Sequence, residues 1–247
     1  MASYNVFAPF YDRFQRAVDY AARAAYFDRL LRENGVRPGL LLDLACGTGS
    51  LSVELAALGY EVIGVDASDQ MLSCAQQKAA AAGKNILFLN QRMERLDLYG
   101  TVTACVCALD SLNHLTQEAA LSRAIARVSL FLEPGGVFVF DMNTPYKQNT
   151  LLADRCYVFE DENTVCVWQN ETENDLTEIR LDFFSRERNG LYRRETEEFY
   201  ERAYDEDTVR RLCEKNGLHV EAVYADDTLC APQKTSQRYI FVTKKGE

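Results

Sequence analysis

The chain has 247 residues, of which 47% are hydrophobic and 26% charged; that is one large domain, with or without a smaller element set into it, and it excludes a disordered or collagen-like chain. No apolar run approaches the ~20 residues needed to span a bilayer, and Met1 to Tyr20 lacks a charged start followed by an apolar stretch, so a cytoplasmic protein without a membrane partner is expected. The formal charge of −10 resides in one segment: Glu160 to Asp207 holds 16 acidic and 6 basic residues, and the rest is balanced at 21 of each. Without clustered Lys and Arg, a nucleic-acid partner is not expected, and the acidic segment reads either as a solvated face or as a rim that attracts cations.

In chain order, Phe10, Phe14, Val18, Ala21, Ala25 and Leu30 recur at near-helical spacing, and Gly35 with Pro38-Gly39 closes the segment, which predicts one amphipathic helix over residues 10–34. From Leu40 short apolar runs alternate with helical stretches. Strands are expected at 40–44, 61–66, 86–90, 101–108 and 136–142, and helices at 49–58, 68–82 and 117–131. Near-continuous apolar strands separated by helices indicate βαβ units and a parallel sheet covered on both faces, an α/β doubly wound fold. From about Arg155 to Tyr204 the period becomes two, with Ile179, Leu181 and Phe183 alternating with charged residues and Asn189-Gly190 marking a hairpin. An antiparallel insertion with one wet face is expected there, which would account for its acidity. A helix capped by Asp205 or Asp207 and stopped by Gly217, then a hairpin of residues 219–224 and 237–243, completes the chain.

The eight cysteines (46, 74, 105, 107, 156, 166, 213, 230) form no CxxC pair, so neither a disulfide framework nor a zinc ribbon is expected. Cys105 and Cys107 share a strand face and are expected as reduced core residues. With two histidines, His114 and His219, no metal site is expected.

The informative stretch is Leu41-Leu42-Asp43-Leu44-Ala45-Cys46-Gly47-Thr48-Gly49, followed by a helix and then Val62-Ile63-Gly64-Val65-Asp66. In an open α/β sheet ligands bind beyond the carboxyl ends of the strands, and the first strand–helix turn is that place. Gly47 and Gly49 allow a tight turn and a close approach, while Asp66 can accept hydrogen bonds from both ribose hydroxyls. Asp43 would repel a pyrophosphate, and Ser52 stands where a dinucleotide fingerprint has its third glycine. A cationic, phosphate-free nucleoside such as S-adenosylmethionine fits better, with a nicotinamide oxidoreductase, which would need a fuller glycine fingerprint and an uncharged strand end, as a rival reading.

The sequence resembles the class I S-adenosylmethionine-dependent methyltransferases, bacterial small-molecule branch. Its Asp-Leu-x-Cys-Gly-Thr-Gly signature is matched by Asp43 to Gly49; Asp66-Ala67-Ser68 with Met71 matches the acidic ribose motif, Leu132 to Gly136 the turn before the fifth strand, and Asp141 to Thr144 that strand's end. The resemblance implies a Rossmann-like methyltransferase fold with a seven-stranded, mostly parallel sheet. Residues 37–154 and 205–247 would form the cofactor domain, 1–36 a helical lid, and 155–204 the antiparallel insertion over the acceptor site. The cofactor would be held by Asp43, Ala45, Gly47, Gly49, Asp66, Ala67, Met71, Arg92, Met93 and Leu109. Arg92 stands where that branch has Asp; it either stacks on adenine or is a surface arginine, with the Met93 backbone serving the ring. The Ser111-x-x-His114-Leu115 run, also present in sugar N-methyltransferases, makes His114 the candidate base, against a reading as a packed histidine with a structural hydrogen bond. The aromatics Tyr4, Phe7, Phe10 and Tyr11 resemble a lid segment in which a tyrosine, here Tyr11, touches cofactor or substrate, or else they are core. N- or O-methylation of a small-molecule acceptor is expected; a non-catalytic S-adenosylmethionine-binding module and a methyltransferase acting on protein or RNA are the alternatives.

Overall fold

The apolar runs resolve into two sheets in a computed structural model that describes residues 8–246, the side chain of Pro9 excepted. Tyr4 and Phe7 lie outside the described residues. The single helix expected over 10–34 is two helices, α1 (Ala8–Phe14) and α2 (Tyr20–Glu33). The break has a local cause. Asp19, in extended backbone, accepts a hydrogen bond from the Ala22 N–H at 2.9 Å and starts α2 afresh. The two helices then serve different layers: α2 buries Phe27, Leu30 and Leu31 against the larger sheet, whereas Phe10 of α1 stacks on Phe183 of the smaller one at 4.8 Å.

The larger sheet comprises β1 (Leu40–Leu44), β2 (Glu61–Asp66), β3 (Leu87–Asn90), β4 (Val102–Cys107), β5 (Leu132–Asn143), β10 (Leu218–Ala225) and β11 (Arg238–Lys245). Their order is β10-β11-β5-β4-β1-β2-β3, and β11 alone runs against its neighbours. Alternate residues of the central strands point to opposite layers. Leu41, Ala104 and Val106 meet α2 and α3 (Ser50–Ala57), while Leu42, Leu44, Cys105 and Cys107 join the core under α5 (Glu118–Phe131) and α6 (Glu206–Lys215). Cys105 and Cys107 are fully buried on one face, and the described cysteines are all free. The connection through α4 (Asp69–Ala81) leads from β2 to β3 on one side of β1, and β4 lies on the other. The strand order therefore reverses at β1, and the crevice at its carboxyl end is where such folds bind ligands.

The smaller sheet is antiparallel, β6 (Cys156–Glu160), β7 (Thr164–Glu173), β8 (Leu176–Arg186) and β9 (Tyr192–Arg202) in sequence order. Besides the bend at Gly190, it turns at Asn174-Asp175, both left-handed (φ 51° and 63°), a two-residue hairpin without the glycine that would announce it. The wet-face account of the acidity requires a correction. On β9, Glu197 and Glu201 lie opposite Leu181 and Thr177 on the inward face and are buried, 8% and 6% exposed. Between β5 and β6, residues Lys147–Leu152 form a π-helical turn that the periodicity does not indicate. Among the described residues no helix is long and apolar enough to cross a membrane.

Candidate active site

Four chain segments meet at the carboxyl edge of the larger sheet. The turn after β1 is built from left-handed residues: Ala45 (φ 59°), Gly47 (54°) and Gly49 (72°). The two glycines have different reasons for being glycine. A Cβ at Gly49 would lie 2.8 Å from the Ala75 Cβ, so this residue lets α3 pack against α4. A Cβ at Gly47 would meet nothing within 4 Å, because that side of the turn opens on a cavity. Gly47→Ala should therefore cost only about 1–2 kcal/mol of stability but obstruct the ligand, whereas Gly49→Ala should cost about 1–3 kcal/mol more through the clash. Thermal denaturation beside calorimetric titration with S-adenosylmethionine separates the two; equal effects on both readouts would contradict the assignment.

The cavity, about 170 Å³, is lined by Tyr11, Ala45, Gly47, Asp66, Ala67, Met71, Arg92, Met93, Leu109 and His114 of the predicted set, and by the unpredicted Val65, Gln91, Glu94, Ser111 and Leu115. Asp66 braces the edge: one carboxylate oxygen accepts from the Gly47 N–H at 3.0 Å and the other from the Ser68 N–H at 2.8 Å. The Ala67 N–H is a third backbone donor to this carboxylate, which still leaves acceptor capacity among its roughly four lone-pair positions for a ribose hydroxyl. Arg92 pairs with Glu94 at 2.6 Å with its side chain half exposed, so the carboxylate on this wall comes from Glu94, two residues beyond the position where the branch has Asp.

Asp43 lies in a narrower adjoining cleft shared with Tyr11, Tyr20, Ala45, Gly47 and Leu109. It is 1% exposed and accepts a hydrogen bond from the Ser52 hydroxyl at 2.5 Å. Ser52, the residue in place of a third glycine, thus holds this acid. Burial pushes Asp43 up to about 7, the Ser52 bond opposing the shift. A buried carboxyl that among the described residues has no basic side chain within ion-pair distance is a costly group that a bound cation would stabilise.

Helix α1 crosses this cleft. Asp12 accepts from the Thr48 hydroxyl and pairs with Lys78, both at 2.7 Å, which fixes the helix to the glycine turn. Tyr11 thereby reaches the cavity and contacts Tyr20; burial pushes its phenol well up, so at neutral pH it donates a hydrogen bond rather than accepting a proton.

The loop after β4 is held in a strained shape. Leu109 and Asp110 are consecutive left-handed residues (φ 58° and 57°), and the fully buried Asp141 at the end of β5 accepts from both their N–H groups, at 2.9 and 2.6 Å. Asp141 also pairs with Arg23 of α2 at 2.8 Å and Arg238 of β11 at 2.7 Å. This clamp was not read from the sequence; an isolated acid ending the run Val137-Phe138-Val139-Phe140 was its signal. The loop presents His114 from a 3₁₀ turn (Ser111–His114) that β9 backs: the Asn113 amide donates to the Arg202 carbonyl at 2.8 Å. The His114 ring packs on Phe199 at 5.2 Å, and burial pulls its basicity below the usual 6.5, against the opposing pull of Asp110 and the Tyr200 backbone. Gly49 does not line the cavity and Asp43 reaches only the adjoining cleft; the other predicted residues line the cavity itself. Among the described residues no group of three or more His, Cys, Asp or Glu side chains could hold a metal ion.

A doubly wound sheet with its crevice at the β1 switch point, Asp66 at the cavity edge, Asp43 in the cleft beside it and apolar side chains along the walls, defines a nucleoside-cofactor enzyme of the α/β class. Residues 41–136 match the family described as a methyltransferase domain. The chain is 32% identical over 252 residues to a putative methyltransferase of Geobacillus sp. (strain WCH70), covering 98% of this chain and 100% of that one. It is 34% identical over 139 residues, 53% of this chain and 48% of the other, to the glycine/sarcosine N-methyltransferase of Parasynechococcus marenigrum. The crystal structure of an S-adenosylmethionine-dependent methyltransferase from Clostridium acetobutylicum superposes with a TM-score of 0.90 at 31% identity, covering 99% of each chain. The chain belongs to the class I S-adenosylmethionine-dependent methyltransferases of bacterial type, and its cofactor is S-adenosylmethionine.

Proposed function

We propose that this methyltransferase acts on a nitrogen or oxygen of a small-molecule acceptor, with His114 as general base. The observation that carries the reading is that His114 and Tyr11 line the same cavity as Gly47, Asp66 and Met93. The residues fit the cofactor: Asp66 has acceptor capacity left for the ribose, Met71, Met93 and Leu115 offer apolar walls to the adenine, and Asp43 supplies the counter-charge for the amino-acid ammonium. Bound there, S-adenosylmethionine supplies an electrophilic methyl group on a sulfonium. The protein's work is then to hold the acceptor atom at attack distance, exclude water and accept its proton. Positioning contributes up to roughly 7–11 kcal/mol in the best intramolecular models, and a placed base roughly 10²–10⁴-fold. Burial lowers the basicity of His114, against Asp110 and the Tyr200 backbone, which favours the neutral imidazole that a base requires. Tyr11, protonated, orients the acceptor or donor by hydrogen bonding. The balanced charge outside the acidic insertion argues against RNA, and similarity over half the chain to an enzyme named for methylating glycine and sarcosine favours a small amine.

The test is transfer of label from methyl-labelled S-adenosylmethionine to a panel of small amines and phenols, to bulk protein and to RNA. Label is expected in the small-molecule fraction, reduced roughly 10²-fold or more in His114→Ala with cofactor affinity retained. Label confined to protein or RNA rejects the acceptor class, and full turnover of the variant across the pH range rejects the base.

A further inference from the structure

The proposed base has a neighbour that the methyl-transfer reading leaves without a role. Glu201 stands near the end of β9, in the acidic insertion, and is buried. One carboxylate oxygen, Oε1, lies 3.7 Å from Nε2 of His114. The other, Oε2, accepts from the Gln148 amide at 2.9 Å and the Asn143 amide at 3.5 Å, and these two neutral donors fix the carboxyl in place. Among the described residues the His114 ring is the only basic group within ion-pair distance of it.

The surrounding elements explain why this carboxyl has no other charge partner. From the loop after β4 comes Asp110, which pairs with Arg238 at 2.7 Å and accepts from the Asn143 amide at 2.9 Å. From the π-helical turn comes Lys147, whose ammonium donates to the Asn143 side-chain oxygen Oδ1 at 2.8 Å and not to Glu201. Asn143 stands between the two acids, satisfying both through its amide. Arg238 faces Asp110 and Asp141 and leaves Glu201 aside.

We propose that Glu201 is a positioning residue for His114, and that the two side chains act together as the base, sharing between them the proton taken from the acceptor. This rests on the reading of His114 given above. In the step, the acceptor N–H or O–H bond breaks and its electron pair stays on the acceptor atom. The proton joins the His114 ring lone pair, and the Glu201 carboxylate neutralises the imidazolium so formed. The acceptor's electron pair then forms the bond to the methyl carbon, the carbon–sulfur bond breaks with its pair going to sulfur, and the shared proton is later released to solvent. The carboxylate makes the imidazole a stronger base than burial alone would leave it. Burial, with the Asp110 charge adding to it and the Gln148, Lys147 and Asn143 contacts opposing it, pushes Glu201 up to about 8, whereas the His114 ring by itself is pulled below 6.5. Such a pair takes up its first proton at the upper limit and its second at the lower, so the proton-free pair that prevails above about 8 is the base.

The sequence contains two histidines, so nitrogen-15 NMR of the imidazoles against pH reports the pair directly, with the exposed His219 beside Glu214 as internal control. In the wild type the His114 signals are expected to follow two steps, one below 6.5 and one near 8. Glu201→Gln, which keeps the side-chain shape and an oxygen acceptor, is expected to abolish the upper step and leave the lower, and Glu201→Asp to retain two. A single His114 step below 6.5 in the wild type, or a curve unchanged in Glu201→Gln, overturns the proposal. Because the wild-type curve alone can overturn it, a variant that fails to fold does not remove the test. No acceptor is needed either, so a negative result here leaves the methyl-transfer reading standing, and absence of label transfer would sink that reading without altering the titration.

Discussion

Replacing Asp141 by alanine lowers the melting temperature by roughly 6–20 °C and abolishes methyl transfer. The figure follows from the cost of breaking a buried ion pair, about 3–5 kcal/mol, at about 2–4 °C per kcal/mol in a chain of this size. Asp141 is fully buried, and Arg23 and Arg238, with side chains 11% and 14% exposed, would both lose this carboxylate. The remaining partners, Asp227 for Arg23 and Asp110 for Arg238, keep those charges from being stranded entirely, which places the cost within that range rather than above it. The second consequence is local. Two consecutive left-handed residues, Leu109 and Asp110, are held by N–H bonds to this one carboxylate, and without it the loop relaxes toward ordinary backbone and carries Ser111 and His114 out of the cavity wall. Asp141→Asn, which retains an oxygen acceptor but no charge, should fall between the two. Thermal unfolding with the label-transfer assay measures both effects, and an Asp141→Ala protein as stable and active as the parent would remove the clamp from the account.

Asp43→Asn should do the opposite to stability while destroying function. Its folded-state pKa, raised from 3.8 to about 7 chiefly by burial, means that the folded protein holds this proton more tightly than the unfolded chain. The favourable contribution is complete below about pH 4 and is lost as pH rises through 7, so at pH 8 the ionised group is a liability. Removing the charge should stabilise the ligand-free protein by on the order of 1–3 kcal/mol at pH 8. The same substitution removes the counter-charge for the ligand's ammonium, and truncating one partner of a buried charge pair costs about 2–5 kcal/mol, a loss in affinity of roughly 30-fold or more. A site in which stability is sacrificed for binding is common where proteins recognise charged ligands.

Much of this site could be read from consecutive residues. The central strands β1, β4 and β5 are buried on both faces and so appear as short apolar runs, and the stretch from Asp43 to Gly49 concentrates an acid, two glycines and a small residue within seven positions. What the sequence hid was of three kinds. Helical spacing continues from Phe14 across Val18 to Ala21, and only Asp19, one capping residue, marks the break between α1 and α2. The hairpin at Asn174-Asp175 uses left-handed residues other than glycine, so the punctuation is weak. The third kind is distance: Arg23 and Arg238 reach Asp141 across 118 and 97 residues, and Glu201 reaches His114 from another sheet. Period-two alternation assigned the acids of β9 to water, but Glu197 and Glu201 share a face with Phe199 and are buried. Periodicity identifies faces; it does not reveal which face a catalytic pocket has claimed.

The electrostatic core of the account is tested most directly by titration calorimetry of S-adenosylhomocysteine, which carries the same ammonium, into the wild type and Asp43→Asn between pH 6 and pH 8.5. A ligand cation that lowers the Asp43 pKa on binding displaces a proton, so wild-type affinity is expected to fall as pH drops through about 7, with proton release to the buffer, while the variant binds weakly and without that pH dependence. Affinity that is flat with pH in the wild type, or unchanged by the substitution, would contradict it.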